Sequence, residues 1–173
     1  MVDFLPALTA ASNKYHLDSK LVIAQIRVES GDNPWAWNPE PRYRYFWNVR
    51  THAPFRSITP LEIAAEFPPK EFPGVAGDPD QEWWGQQASW GLMQVMGALA
   101  RERGFRGPYL TALCDPEINL EIGCAHLAGL LSWSHNNVDQ ALAAYNGGRS
   151  GNVARPFRNQ AYADKIQSVY AAL

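Results

Sequence analysis

Apolar positions recur at helical spacing along most of this chain, and the rhythm fails over residues 31–88. Phe4–His16 predicts a short first helix. Asp18 or Ser19 can cap a second, which runs to Ser30 with Val22, Ile26 and Glu29 on one face. From Gly31 to about Ser57 the chain becomes a mixture of Pro, Trp, Asn and Arg, with room for a strand or two. Thr59–Phe67 reads as a short helix, with Thr59 as cap, Pro60 in the first turn and Glu62 completing a capping box. Pro68 and Pro69 stop it, and residues 70–88 read as a second loop. A helix is predicted from Val95 to Arg103, ended by Gly104. Asp115-Pro116 opens a longer one through Trp133, with Ile118, Ile122, Ala125 and Gly129 on one line. Asn137 or Asp139 starts the next, ended by Gly147-Gly148. A last helix covers Asn159 to Ala172, with Tyr162, Ile166, Val169 and Tyr170 on its buried side. The pattern predicts a mainly α fold, one domain over 1–173, with a small β element at most.

Glu29 is the oddity in that pattern. It continues an apolar stripe in the last turn before Gly31, a residue suited to a left-handed helix end. Desolvation and the negative end of the helix dipole both oppose its ionisation, so its pKa is expected to rise. A carboxylic acid that keeps its proton near neutral pH is a proton donor.

Composition narrows the setting. The chain has 173 residues, 46% hydrophobic and 18% charged, with a net charge of −2. These values fit an ordinary globular domain and give no reason to expect nucleic acid as partner. Arg42, Arg44, Arg50 and Arg56 stand in a stretch without acids, and acids dominate the next thirty residues, which predicts a self-complementary surface. Cys114 and Cys124 are separated by mostly helical rise and are expected to stay reduced. The N-terminal stretch lacks the basic start and apolar core of a signal peptide, and no transmembrane span is visible. His16, His52, His126 and His135 are scattered without metal-ligand spacing, so neither metal nor cofactor is expected.

Three blocks occur in order: Glu29-Ser30 after an apolar helix, Gly91-Leu92-Met93-Gln94, and Ala144-Tyr145-Asn146-Gly147-Gly148. In this the sequence resembles the lytic transglycosylases of glycoside hydrolase family 23, which share their fold with goose-type lysozymes. The resemblance spans about Leu21 to Tyr170. It implies a lysozyme-like domain that cleaves the β-1,4 bond between N-acetylmuramic acid and N-acetylglucosamine in peptidoglycan, leaving 1,6-anhydro-muramic ends. It also implies Glu29 as the acid and base. Ser30, Trp90, Gly91, Met93, Gln94, Tyr145, Asn146 and Tyr162 are then expected at the substrate, with the Tyr145 hydroxyl reaching toward Glu29. After Tyr162 the family's usual valine is replaced by Ala163. Glycan strands are the expected partner of a monomer that acts on the cell wall. A phage-type lysin held in the cytoplasm, or a domain of a longer enzyme, fits that setting.

The chain departs from compact members in the 62 positions between Glu29 and Gly91, which hold a Trp- and Pro-rich insertion at about 31–88. Most of Trp35, Trp37, Trp47, Trp83 and Trp84 are expected in a satellite core, and Trp90 is the better candidate for sugar contact. Two other readings stand beside the transglycosylase. A hydrolytic muramidase would need a second carboxylate, drawn from Asp32, Glu40, Asp78, Asp80 or Glu82. A non-catalytic wall-binding module would have no need of Glu29.

Overall fold

Asp18 starts the helix that matters most. Its carboxylate accepts the Lys20 amide at 2.9 Å, and α2 then runs Ser19–Glu29 with Leu21, Val22, Ala24, Gln25 and Ile26 buried. Gly31 (φ +62°) and Asp32 (φ +64°) take the left-handed conformation that ends it. These coordinates come from a computed structural model that describes residues 3–65, 67–75 and 78–173. Outside the described residues lie Met1 and Val2 of the N-terminal stretch, Glu66 of the expected Thr59–Phe67 helix, and Ala76 and Gly77 of the expected loop. The fold is mainly helical, with eight α-helices and five short strands among the described residues.

The chain divides into two compact units, Met1–Asp32 with Leu120–Leu173, and Asn33–Asn119. In the first, α1 (Leu5–Lys14) packs on α2, and α2 and α7 (Val138–Gly147) both pack on α8 (Gln160–Ala172). Alanines let α7 come close, since Ala141, Ala143 and Ala144 are buried beside Leu142. Asn137 caps α7 at the Gln140 amide, and Gly148 ends it at φ +75°. The long α6 (Pro116–Trp133) was expected to bury the line Ile118, Ile122, Ala125 and Gly129. Ile122 of that line is buried, but the apolar residues buried most deeply are Leu120, Cys124, Leu127 and Leu130, because apolar side chains surround this helix and the periodicity gives little direction.

The second unit holds a three-stranded antiparallel sheet of order β1 (Trp37–Pro39), β4 (Ala88–Trp90) and β5 (Val95–Met96). A small hairpin pairs β2 (Trp47–Asn48) with β3 (Ala53–Pro54). α3 (Pro60–Ala64) has the capping box that Thr59 and Glu62 predict, but it ends sooner than expected. Two corrections concern its neighbours. Residues 70–88 are not all loop: Asp78 caps α4 (Pro79–Gln86), and the Asp-Pro start followed by acids in the first turn is a helix signal outweighed by the surrounding Pro and Gly. The helix expected from Val95 starts at Gly97 (α5, Gly97–Glu102), because Val95 and Met96 pair with β4. Arg56 meets Glu62 and Glu71, as the charge pattern predicted for this surface.

Trp83 anchors the core of this unit. Its ring stacks on Phe46 with centroids 4.2 Å apart, and Phe72 meets it edge-on. The satellite core therefore exists, but it takes one tryptophan of the five. Trp35, Trp37 and Trp84 are 66%, 57% and 45% exposed, which corrects the expectation for most of them. The reason is local: α4 is one helix with one buried face, so adjacent Trp83 and Trp84 must point in different directions. Under the core, buried Glu82 and Arg101 face each other in a two-pronged ion pair, Nε to Oε1 and Nη2 to Oε2, each at 2.8 Å. Cys114 and Cys124 are both buried thiols.

Candidate active site

The first unit brings Glu29, Tyr145 and Tyr162 together. Glu29 sits half-buried at the last position of α2, and the Tyr162 hydroxyl of α8 donates to its Oε1. Gln25, one turn earlier and fully buried, directs its Nε2 at the same hydroxyl oxygen at 3.4 Å. Burial pushes the Glu29 carboxyl up to about 7, against the opposing pulls of the Tyr162 hydrogen bond and the Lys165 charge. The Tyr145 hydroxyl is driven far above its ordinary range, first by burial and then by Glu29. Its ring lies 5.1 Å from that of His126.

Two of the expected residues serve the framework around this acid. The Ser30 hydroxyl donates back to the Ile26 carbonyl at 3.1 Å, closing the end of α2. Asn146 is exposed, and its Oδ1 accepts from Asn159 at 2.7 Å. Asn159 in turn bonds buried Asn152, whose Nδ2 reaches the Gly148 carbonyl at 2.8 Å. A Cβ on Gly147 would stand 2.1 Å from Asn159 Oδ1, so this corner requires glycine. The chain of amides ties the end of α7 to the start of α8, which fixes Tyr145 and Tyr162 by their backbones.

The second unit holds Trp90, Gly91, Met93 and Gln94. Gly91 has φ +68°, and its amide donates to the Ala36 carbonyl at 2.8 Å. A Cβ there would lie 2.4 Å from Asn119 Nδ2 and 2.5 Å from the Leu113 carbonyl oxygen. Gly91→Ala is therefore expected to destabilise the protein by about 2–4 kcal/mol, read as a fall in Tm; an unchanged Tm would contradict this account of the turn. Met93 is fully buried. Gln94 spends its side chain locally, accepting from the Ser89 hydroxyl at 2.9 Å and donating to the Gly91 carbonyl at 3.0 Å. Trp90 is half-buried and donates its Nε1 to the Gly85 carbonyl at 3.0 Å.

Sequence reading missed two supports. Asn119 is fully buried and holds the whole block: its Oδ1 accepts the Met93 amide, and its Nδ2 donates to the Trp90 and Leu113 carbonyls, all at 2.8 Å. One asparagine in an apolar helix was the available signal, since such a residue must find partners. Gln25 gave the same signal four residues before Glu29. Four of the five loop acids have partners. Glu82 is paired with Arg101, Asp78 caps α4, Glu40 accepts from Asn38, and Asp32 lies 3.7 Å from Arg27.

A mainly helical fold with one raised-pKa glutamate under a tyrosine hydroxyl agrees with the lysozyme-like domain that the resemblance implies. Residues 6–169 match the model described as the transglycosylase SLT domain, and the chain belongs to that family. Among solved structures it is similar to an inactive glutamate-to-glutamine mutant of the lytic transglycosylase Slt from Pseudomonas aeruginosa, with a TM-score of 0.60 and 18% identity. That match covers 96% of this chain and 23% of the other, so the chain spans about a quarter of the solved protein's length. No described helix is long and apolar enough to cross a membrane, and among the described residues no group of three or more His, Cys, Asp or Glu could hold a metal ion.

Proposed function

We propose that this chain is a peptidoglycan lytic transglycosylase, acting as one catalytic domain with residues 31–88 as its insertion, and that Glu29 is its acid and base. The observation that carries the reading is the half-buried Glu29 carboxyl at the end of α2, held by Tyr162 and raised to about 7. In protonated form it delivers its proton to the glycosidic oxygen as the bond from C1 to that oxygen breaks. The substrate's N-acetyl group steadies the cationic C1. The Glu29 carboxylate then takes the proton of the C6 hydroxyl while that oxygen bonds C1, which closes the 1,6-anhydro ring and restores the acid. The proton count balances with no water consumed.

A one-acid mechanism is supported by what surrounds Glu29. In its own unit Asp18 caps α2, Glu121 accepts from Lys14 and Tyr15, and Asp139 pairs with Arg155. The charged group that acts on Glu29 is the cation Lys165. The Glu29, Tyr145 and Tyr162 cluster comes from a single chain, so a monomer acting on the cell wall suffices. In this reading Ser30 and Asn146 hold the frame around Glu29 within the first unit; in the second, Trp90 is a sugar contact and Gly91, Met93 and Gln94 hold the turn that carries it.

The pH profile tests the assignment. For kcat/KM on purified glycan strands, activity is expected to fall as pH rises through about 7, where Glu29 loses its proton. Tyr162→Phe removes a hydrogen bond that favours the carboxylate, so the falling limb should move to higher pH. A limb that stays in place in the variant, or a rate flat across the neutral range, would contradict the role given to Glu29.

A further inference from the structure

Three of the tryptophans left outside the satellite core, Trp37, Trp84 and Trp90, gather on one wall of the second unit. Trp37 and Trp90 are direct cross-strand partners in β1 and β4, which puts both on the same face of the sheet, with ring centroids 6.2 Å apart. Trp84 of α4 and Tyr109, itself 52% exposed, complete a cavity of about 260 Å³ with them. Trp37 and Trp84 also line a second cavity of about 320 Å³, reaching Glu40 and Gln87. Two concave spaces thus share one aromatic partition.

The wall is built rather than incidental. Buried Trp83 fixes α4 and thereby aims Trp84 outward, and the Gly85 carbonyl holds the Trp90 indole. A Cβ on Gly97 would lie 2.1 Å from the same Gly85 oxygen, so α4 and α5 meet here with no slack. Exposing three large aromatic rings is unfavourable in water unless something covers them. The chemistry of the lining defines the occupant. Flat apolar faces match the C–H faces of pyranose rings, and Gln81, Thr111 and Asp78 supply hydrogen-bonding groups at the edge. Both cavities are lined by carboxylates and neither by a Lys or Arg, and Glu82 is already neutralised by Arg101. An anionic ligand is therefore disfavoured and a neutral one accepted.

We propose that the Trp37, Trp84, Trp90 and Tyr109 wall is a binding site for neutral N-acetylated sugar oligomers, one ring in each cavity on either side of the Trp37–Trp84 partition. The kind of sugar rests on the activity proposed above; the site itself rests on the wall. It gives the insertion a purpose, which is to hold a glycan chain through a stretch of uncharged rings.

The test uses the full chain carrying Glu29→Gln, labelled with 5-fluorotryptophan and titrated with the N-acetylglucosamine tetramer. The fluorine resonances of Trp37, Trp84 and Trp90 should move, while those of buried Trp83 and of Trp35, which lines neither cavity, should stay. Trp84→Ala, which leaves the satellite core intact, should weaken binding about tenfold or more, and Trp35→Ala should leave it unchanged. Three results would overturn the proposal: stationary resonances for the wall, an equal response to a maltose-type tetramer, or a response to a peptidoglycan stem peptide instead of the sugar. Glycan cleavage by the protein with Glu29 intact is scored separately. Cleavage with a silent wall overturns the site and leaves the activity, whereas a responsive wall without cleavage overturns the activity and leaves the site.

Discussion

Glu29→Gln is expected to lower glycan cleavage by about two to four orders of magnitude, the usual contribution of a positioned general acid and base, with the fold intact. Glutamine keeps the shape and can still accept from Tyr162, but it has no proton to exchange. The same substitution should change stability with a definite dependence on pH. Glu29 has an ordinary pKa of 4.5 and about 7 in the fold, so the folded state binds the proton more tightly than the unfolded chain. Below 4.5 both states hold the proton and burial of the carboxyl carries no electrostatic penalty. Between 4.5 and about 7 the unfolded chain has lost its proton while the folded protein retains it, and stability falls as pH rises. Above about 7 the full penalty of a desolvated carboxylate remains. The Tm of Glu29→Gln relative to the native protein should therefore rise across that window and level off above it. A variant that loses activity yet shows a Tm difference independent of pH would contradict the raised pKa; a variant that still cleaves would remove Glu29 from the reaction.

Arg101→Met is expected to be the most damaging substitution away from the site. It strands the buried Glu82 carboxylate, leaving it the Gln86 side-chain amide as its remaining side-chain donor, and it abandons the Phe105 and Gly107 carbonyls that Arg101 holds at 3.1 and 2.7 Å. Breaking one partner of a buried pair costs about 3–5 kcal/mol, a fall in Tm of roughly 6–20 °C for a domain of this size. Adding Glu82→Leu should recover much of the loss, since the buried charge then disappears with its partner. A single variant within about 2 °C of the native Tm would show that the pair contributes little. The pair bears on the proposed sugar wall because α4 carries Glu82, Trp83 and Trp84 on the same short helix.

The helices of the first unit were legible because each carries both a stripe and punctuation: Asp18 and Gly31 around α2, Asn137 and Gly148 around α7. Glu29 was legible for the same reason, as a charge where the stripe required an apolar residue. Position along one helix could not reveal which hydroxyl would meet it. Tyr162, 133 residues away, donates to it, and Tyr145 lies near enough to feel its charge; the resemblance named both tyrosines, but gave Tyr162 only as a groove residue. The insertion was the least legible part. Its strands are two or three residues long, too short for an alternating pattern, and α4 is a single eight-residue helix that follows Pro73-Gly74 and starts on a proline of its own. Nor could composition divide its tryptophans into Trp83 inside and Trp37 and Trp84 outside, because that division depends on which face of α4 and of β1 is covered. Gln94 shows the opposite limit. Its position in a motif pointed to the substrate and gave no sign of the local work that its amide does for Ser89 and Gly91.

The central claim is that one residue, Glu29, both gives and takes the proton with no water consumed. Mass spectrometry of the fragments released from purified peptidoglycan tests it most directly. The account predicts muropeptides ending in 1,6-anhydro-muramic acid, each lighter by one water than its hydrolysed counterpart. Fragments with ordinary reducing ends would contradict it, because a water molecule would then have attacked C1 and a second group would be needed to activate it.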